Sequence, residues 1–573
     1  MTVAKSLASG LRSRASGFAE GSGRRQADAA ALLLILVLTA FSTRNLLLGG
    51  TIVGMDTVTQ YYTWYSYLGE SLRSAVLPGW NPRQFSGVPF AADPLSGWSY
   101  LPAMLLFTVL PLNVAAKVYM FLHLLLAGAF AYALARVLGM EAAGALLAAV
   151  AYEFSGYLFV RNACCSPYAM VYAWLPLAIL GVELAIRSRR LLDRTLWWGL
   201  SGLAVSQILA AWLGQGSYYA LLAIGAYVAY RTLLFPPEGA RGLRSRLSGA
   251  VVHGGAVLLF GFGLAAAGLL PRLEYNVLSN LAGGYPNLKM GLGWTIEDWD
   301  RLLLPSGQLY AGAAVLALAL AAPLLVRGDA GRFAVPFFAA LSLLALTLAG
   351  RGTTLVHSVL YLLPSFAWLH PHAPPRAMLV FYLGTALLAG ATLTLLGEKG
   401  RRSRALVSLP LLAALFLLTR STLVPPVEVA ERDLEAGLWE EPAPYLLKIG
   451  VQMDPGAFWT LILAVALAAA YALLSARPSA PRALTATLLV LVVFVDLYAA
   501  GMTTVENRAD FSGGDRIVKV DLAEYYEPTG ATRFLQSEGE EPSRYLGYGP
   551  QVSEKGNPVP YNVRFTDPET RAL

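Results

Sequence analysis

The chain has 573 residues, of which 56% are hydrophobic and only 14% charged, and its mean hydropathy is +0.54. That balance leaves too little polar surface to cover a soluble domain and describes a polytopic membrane protein. The formal charge of +7 is spread over short loops between apolar stretches, a positive-inside pattern that excludes a nucleic-acid-binding face.

A bilayer core of roughly 30 Å takes about 20 apolar residues as a helix. Lipid offers no partner to backbone N–H and C=O groups, so each crossing is helical. Residues 1–27 carry Lys5, Arg12, Arg14, Arg24 and Arg25 and form a basic, cytoplasmic N-terminus. The first apolar run leads into LLLGGTIVGMD, without a small-residue cleavage site, so it reads as a span, 28–48, rather than a signal peptide. Residues 49–113 follow as the first extracytoplasmic loop, a long polar interruption. Its apolar piece 98–112 is short, ends near Pro111 and reads as re-entrant or interfacial.

Basic clusters at 187–194, 241–246, 327–332, 399–404 and 477–482 mark later cytoplasmic loops. They set the remaining spans at 114–138, 141–160, 166–186, 195–213, 216–234, 250–270, 308–326, 333–349, 376–396, 405–424, 457–475 and 483–502, about thirteen in all. The transmembrane module is thus 28–502, and an odd number of crossings leaves the C-terminus outside. Charges, Gly, Pro and Tyr return at 503–573, which reads as an extracytoplasmic extension with short strand character in RIVKVDL and SRYLGYG. Cys164 and Cys165, the only cysteines, are adjacent and cannot form an ordinary structural bridge.

On this topology the polar residues that lack a bland explanation collect on the outer side. Asp56 comes just after the first span, where its ordinary use is to cap a helix. An acid so near a bilayer surface is costly unless it has a partner or a function. Gln60, Tyr61 and Trp64 follow it and offer either stacking faces for a sugar ring or an interfacial belt. Asp93 is a second acid, in the turn-like DPLSG. Arg161 is a cation at a span end, where snorkelling is common; Gln215 sits in LGQGSYY. Glu274 lies beside Arg272, its dull alternative partner.

His370, His372 and Arg376 are set by prolines within one short loop, in a chain with five histidines, and read as an anion site. Glu297, Asp298 and Asp300 read as a solvated turn, and no metal site is expected. Neither GxxxxGK[ST] nor GxGxxG is present, so no nucleotide cradle is evident, and HExxH and GxSxG are absent too. No cofactor is expected, and dependence on a divalent metal stays open.

Several stretches, in order along nearly the whole chain, carry a resemblance: GMDTVTQYYTW, WNPRQFSGVPFAADPLSGWSYLP, AYEFSGYLFVRNA, WLGQGSYYA, LLPRLEYNVLS and LHPHAPPRAM. With them the chain resembles the YfhO-like bacterial membrane proteins of the GT-C glycosyltransferase superfamily. The resemblance implies an all-α polytopic membrane protein in a bacterial plasma membrane, a GT-C-like helical bundle with a large first extracytoplasmic loop. It implies transfer of a sugar from a polyprenyl-phosphate donor to an extracytoplasmic acceptor, whether cell-envelope polymer, glycolipid or protein. Asp56 would then be the base that inverts the anomeric centre, and Arg376 with His370, His372 or Arg161 would hold the donor phosphate. One departure is that Asp56 has no adjacent acid, whereas many GT-C enzymes place two side by side.

Two other classes remain. A transporter or flippase of lipid-linked saccharides would use acids inside the spans, for which Glu153, Glu183 and Asp496 are the nearest candidates. An assembly factor would tolerate loss of Asp56.

Overall fold

The computed structural model describes residues 23–279, 293–294, 302, 309–398, 482–527, 533 and 537, less 55, 83–86, 238–241, 327–330, 352–353 and 507–516. It is a bundle of helices with one two-stranded sheet. In chain order the elements are α1 (Gly23–Ser42), α2 (Arg44–Leu48), β1 (Thr51–Gly54), a π-helical turn (Thr57–Tyr61), α3 (Tyr62–Arg73), α4 (Leu101–Val109), α5 (Leu112–Val137), α6 (Ala142–Glu153) and α7 (Gly156–Cys164). They continue as α8 (Ser166–Arg187), α9 (Leu191–Ala211), α10 (Gln215–Ala229), α11 (Leu243–Leu278), α12 (Ala313–Leu325) and α13 (Val335–Ala349). Last come α14 (Leu355–Leu360), α15 (Phe366–Leu369), α16 (Met378–Glu398), α17 (Arg482–Glu506), β2 (Ile517–Val520) and α18 (Leu522–Tyr525).

Among the described residues, six helices are long and apolar enough to cross a membrane: Gly23–Ser42, Leu112–Val137, Ser166–Arg187, Leu243–Leu278, Arg332–Ala349 and Pro374–Leu396. Each coincides with an expected span. The expected spans 405–424 and 457–475, and the acids Glu297, Asp298 and Asp300, lie outside the described residues. The piece 98–112 yields α4, nine residues long and about 14 Å at ~1.5 Å per residue, too short to cross.

The expected single span 141–160 is two helices, α6 and α7, broken at Phe154–Ser155. Ser155 caps α7 by accepting from the Leu158 N–H at 3.4 Å, and the Gly156 N–H donates to the Tyr310 carbonyl at 3.0 Å. An apolar run conceals such a break, because Ser and Gly here serve the backbone and leave hydropathy almost unchanged.

Two helices form the axis. α8 is buried almost throughout and packs on α5 and α9; α16 is buried throughout and packs on α6, α12 and α13. Apolar on every side, both belong inside a bundle. At the α6–α16 contact Gly144 and Gly390 face each other so closely that a Cβ on either would collide with the other's carbonyl, which lets two backbones touch. α11, by contrast, lies on the outside with Val251, Leu259 and Leu270 exposed.

Prolines inside helices are compensated by neighbours, as lipid demands. Pro176 in α8 cannot bond to the Tyr172 carbonyl, which instead accepts the Tyr152 hydroxyl at 2.6 Å. Pro271 in α11 likewise frees the Ala267 carbonyl, which accepts the Trp98 indole N–H at 3.2 Å. The second of these bonds ties the first loop to α11.

The first loop also has a partner from far along the chain. β1 pairs antiparallel with β2, Thr51 opposite Val520 and Gly54 opposite Ile517. Just beyond α18, the Tyr526 hydroxyl donates to the Val58 carbonyl at 2.5 Å. The RIVKVDL stretch is therefore one edge of a ladder built with the first loop.

Candidate active site

Asp56 enters the π-helical turn with helical backbone angles (φ −58°, ψ −32°) and no capping hydrogen bond, so it is not the ordinary N-cap that its position suggests. π-turns are uncommon and recur at functional sites. This one is held on several sides: by β1 before it, by the Tyr526 bond to Val58, and by the Thr57 hydroxyl, which donates to the Ala163 carbonyl near the end of α7 at 3.0 Å. Thr57 and Val58 are fully buried, while Asp56 is half-buried. A carboxylate is thereby fixed where α7 ends.

Arg161 is on that last turn of α7, and Arg376 comes from the short turn before α16. The two arginines meet over one aromatic ring, Tyr168 in the first turn of α8: the guanidinium carbon of Arg161 is 4.9 Å from its centroid and that of Arg376 5.6 Å. Arg376 also lies 5.2 Å from the Trp212 ring, and Arg161 5.8 Å from that of Tyr157. Cations settle on aromatic faces readily, yet two guanidiniums on one ring repel each other. Among the described residues no carboxylate forms an ion pair with Arg376. The arrangement can accept an anion.

Gln215 sets the orientation of Arg376. Its side-chain carbonyl accepts from Arg376 Nη1 at 2.9 Å, and its amide donates to the carbonyls of His370 and Ala373, each at 3.1 Å. His370 in turn bonds through Nδ1 to the Tyr219 hydroxyl at 2.8 Å and stacks on Phe366, centroids 4.7 Å apart. Burial, together with the neighbouring His357, lowers its pKa to about 4, so it is neutral at pH 7. The lowered pKa and the bond to Tyr219 speak against the expected charged, phosphate-binding His370, whose backbone carbonyl instead supports Gln215. His372 is half-buried, and its pKa is lowered by burial and by Arg376.

Asp93 accepts the Leu95 N–H at 2.7 Å, which closes the expected turn. Burial raises its pKa, against the opposing influence of that N–H and of Arg272. Arg272 is buried and donates to the Leu209 and Ala210 carbonyls at 3.1 and 3.0 Å and to the Trp98 carbonyl at 3.0 Å. It thus satisfies the open end of α9, just before Trp212, and binds the first loop to it.

Tyr61 stands near both acids and near Tyr168. Its buried phenol is within electrostatic reach of Asp56, Asp93 and Tyr168, and burial raises its pKa well above the usual tyrosine value. Trp64 packs edge-on against Tyr61 at 6.3 Å and is buried, so it serves the loop's own core and presents no open face to a sugar. Gln60 is half-buried, its carbonyl accepting from the Thr63 hydroxyl at 2.8 Å. Glu274 is exposed on α11 and is not paired with Arg272, whose donors go to carbonyls.

The structure thus joins Arg161, Arg376 and Gln215 around Tyr168, and sets Tyr61 near Asp56, Asp93 and Tyr168. Tyr157, Tyr168, Trp212 and Tyr219 belong to the same neighbourhood, although the sequence does not mark them as site residues. Their one signal in sequence is position at helix ends, which interfacial aromatics share.

No family model matches the chain, and no curated protein does. Similar solved structures include arabinofuranosyltransferase AftD from Mycobacteria, 16% identical over 69% of this chain and 26% of that one, with a TM-score of 0.42. ArnT from Cupriavidus metallidurans bound to undecaprenyl phosphate is 13% identical over 94% of this chain and 84% of that one, TM-score 0.48. The oligosaccharyltransferase of Archaeoglobus fulgidus in the apo form is 12% identical over 82% and 56%, TM-score 0.41. This chain spans about a quarter of the length of AftD.

Proposed function

We propose that the protein is a membrane glycosyltransferase of the GT-C kind, which moves a sugar from a polyprenyl-phosphate donor to an acceptor on the outer side of a bacterial plasma membrane. The observation that carries this reading is the meeting of Arg161 and Arg376 over Tyr168, one helix end away from the fixed carboxylate of Asp56. In such a reaction negative charge grows on the phosphate oxygen as the glycosidic bond breaks. Two fixed guanidiniums stabilise that charge in a partly water-excluded site. Asp56 takes the proton of the acceptor hydroxyl as it attacks the anomeric carbon. One base and direct displacement invert that centre.

The intramembrane acids give little support to a transporter. Glu183 is already bound by Arg231 at 2.7 Å, by Arg187 at 2.6 Å and by the Tyr227 hydroxyl at 2.8 Å. Asp496 accepts the Tyr310 hydroxyl at 2.7 Å, and Glu153 is buried against Thr39. Glu183 and Asp496 are thus engaged by neighbours, whereas Glu153 keeps one buried carboxylate oxygen without a hydrogen-bond partner among the described residues.

The test uses membranes from cells deleted for the gene, supplied with radiolabelled polyprenyl-phosphate sugars. Asp56→Asn keeps the side chain's size and removes the base, and transfer is expected to fall by about 10²–10⁴-fold with insertion unchanged. Transfer at the wild-type rate by the variant would end the base assignment.

A further inference from the structure

The hydroxyl of Tyr157 is a buried polar group of this neighbourhood that the site as described does not use. Tyr157 is 2% exposed, near the start of α7, and its hydroxyl has no hydrogen-bond partner among the described residues. The buried tyrosines beside it are engaged: Tyr172 donates to the Tyr152 carbonyl at 3.0 Å, Tyr382 to the Leu309 carbonyl at 2.7 Å, and Tyr219 bonds His370 at 2.8 Å, while the hydroxyls of Tyr62, Tyr65 and Tyr119, farther off, share its condition. A buried hydroxyl without a partner is unfavourable, and native structures contain few. Packing does not require one here, because the Tyr157 ring stacks on Tyr382, centroids 5.1 Å apart at 25°, and a phenylalanine would stack equally well.

What surrounds the hydroxyl says what it lacks. The Arg161 guanidinium carbon is 5.8 Å from the Tyr157 ring centroid, and the ring of Tyr168, over which both Arg161 and Arg376 sit, is 6.4 Å from that of Tyr157. Among these neighbours are the two guanidiniums of the proposed anion site. A hydroxyl with guanidiniums for neighbours finds no acceptor in them, since a guanidinium only donates. An anion bound by both arginines would supply the acceptor.

We propose that Tyr157 is a third ligand of the anion, donating its O–H to an oxygen of the phosphate that Arg161 and Arg376 hold. The inference rests on the anion-site reading above and adds to it a neutral donor. An oxygen that gains negative charge during transfer strengthens this hydrogen bond along with the two ionic contacts.

The test titrates farnesyl phosphate into the full chain in lipid nanodiscs, with farnesol as the uncharged control and inorganic phosphate to separate a lipid headgroup from a free anion. Tyr157→Phe is expected to weaken farnesyl phosphate about tenfold, or about 1.4 kcal/mol, and to leave the ligand-free thermal midpoint unchanged. Binding at wild-type strength by Tyr157→Phe, with loss in Arg376→Gln, overturns the role of Tyr157 and leaves the anion site standing. Wild-type binding in both variants overturns both. A lower ligand-free midpoint in Tyr157→Phe, or failure to accumulate in the membrane, makes the hydroxyl structural and ends the proposal. If inorganic phosphate binds as tightly as farnesyl phosphate, the ligand is a free anion, and the lipid-linked part of the reading fails while the Tyr157 contact survives.

Discussion

His370 is a residue whose chemistry is decided by its surroundings. In sequence it stands beside His372 and Arg376 as a third cation; in the fold it is pressed against Phe366 and His357 and stays neutral, with its pKa near 4 instead of 6.5. A neutral buried histidine has a consequence for stability. Below pH 6.5 the unfolded chain takes up a proton that folded His370 refuses, so its contribution is complete above pH 6.5 and is lost as the pH falls through about 4. His357, also lowered by burial, acts in the same direction. The thermal midpoint of the wild type is therefore expected to fall between pH 6.5 and 4 more steeply than that of His370→Gln. Parallel profiles would show that His370 is not buried neutral. Arg161, Gln215 and Arg376 were readable as polar residues at helix ends, but Tyr168, Trp212 and Tyr157 were not. Aromatics at span ends have an adequate reading as interfacial anchors, and only the meeting of α7, α8 and the turn before α16 gives them a second one.

Helices raise a different question, because their interiors have no water to repair a missing bond. Pro176 removes one N–H from α8, and Tyr152, on α6, supplies its hydroxyl in compensation. If that is what the hydroxyl does, its value depends on the proline. Tyr152→Phe should cost about 1 kcal/mol with Pro176 in place. In a Pro176→Ala background, where the helix can bond the Tyr172 carbonyl itself, it should cost close to nothing. The coupling is measured as a double-mutant cycle of unfolding free energies in micelles, and equal costs in the two backgrounds would separate Tyr152 from Pro176. Hydropathy places α1, α5, α8, α11, α13 and α16 well, since length and apolar content are what a crossing requires. It does not place the α6–α7 break, where Ser155 and Gly156 act through the backbone; and although RIVKVDL shows strand character, its partner β1 is too distant in sequence to be read from it.

For the whole molecule the short sheet constrains topology. Strands that pair must lie on one side of the membrane, so between Gly54 and Ile517 the chain crosses an even number of times. The topology expected from the basic clusters, with the first loop and the extension both outside, is compatible with that pairing. Pairing also gives the extension after α17 a structural role, since it holds the backbone just before Asp56 while Tyr526 holds the backbone just after it. Ile52 and Lys519 are direct partners in the register. The pair Ile52→Cys and Lys519→Cys, introduced into a chain with Cys164 and Cys165 replaced by serine, is therefore expected to crosslink under a membrane-impermeant oxidant added from outside. Truncation after Glu506 keeps every described crossing but removes β2 and α18, and it is expected to lower transfer at least tenfold while leaving insertion intact. Absence of the crosslink would place the extension elsewhere. A crosslink without loss of transfer on truncation would mean that the sheet fixes topology and that Asp56 is held by α7 through Thr57 alone.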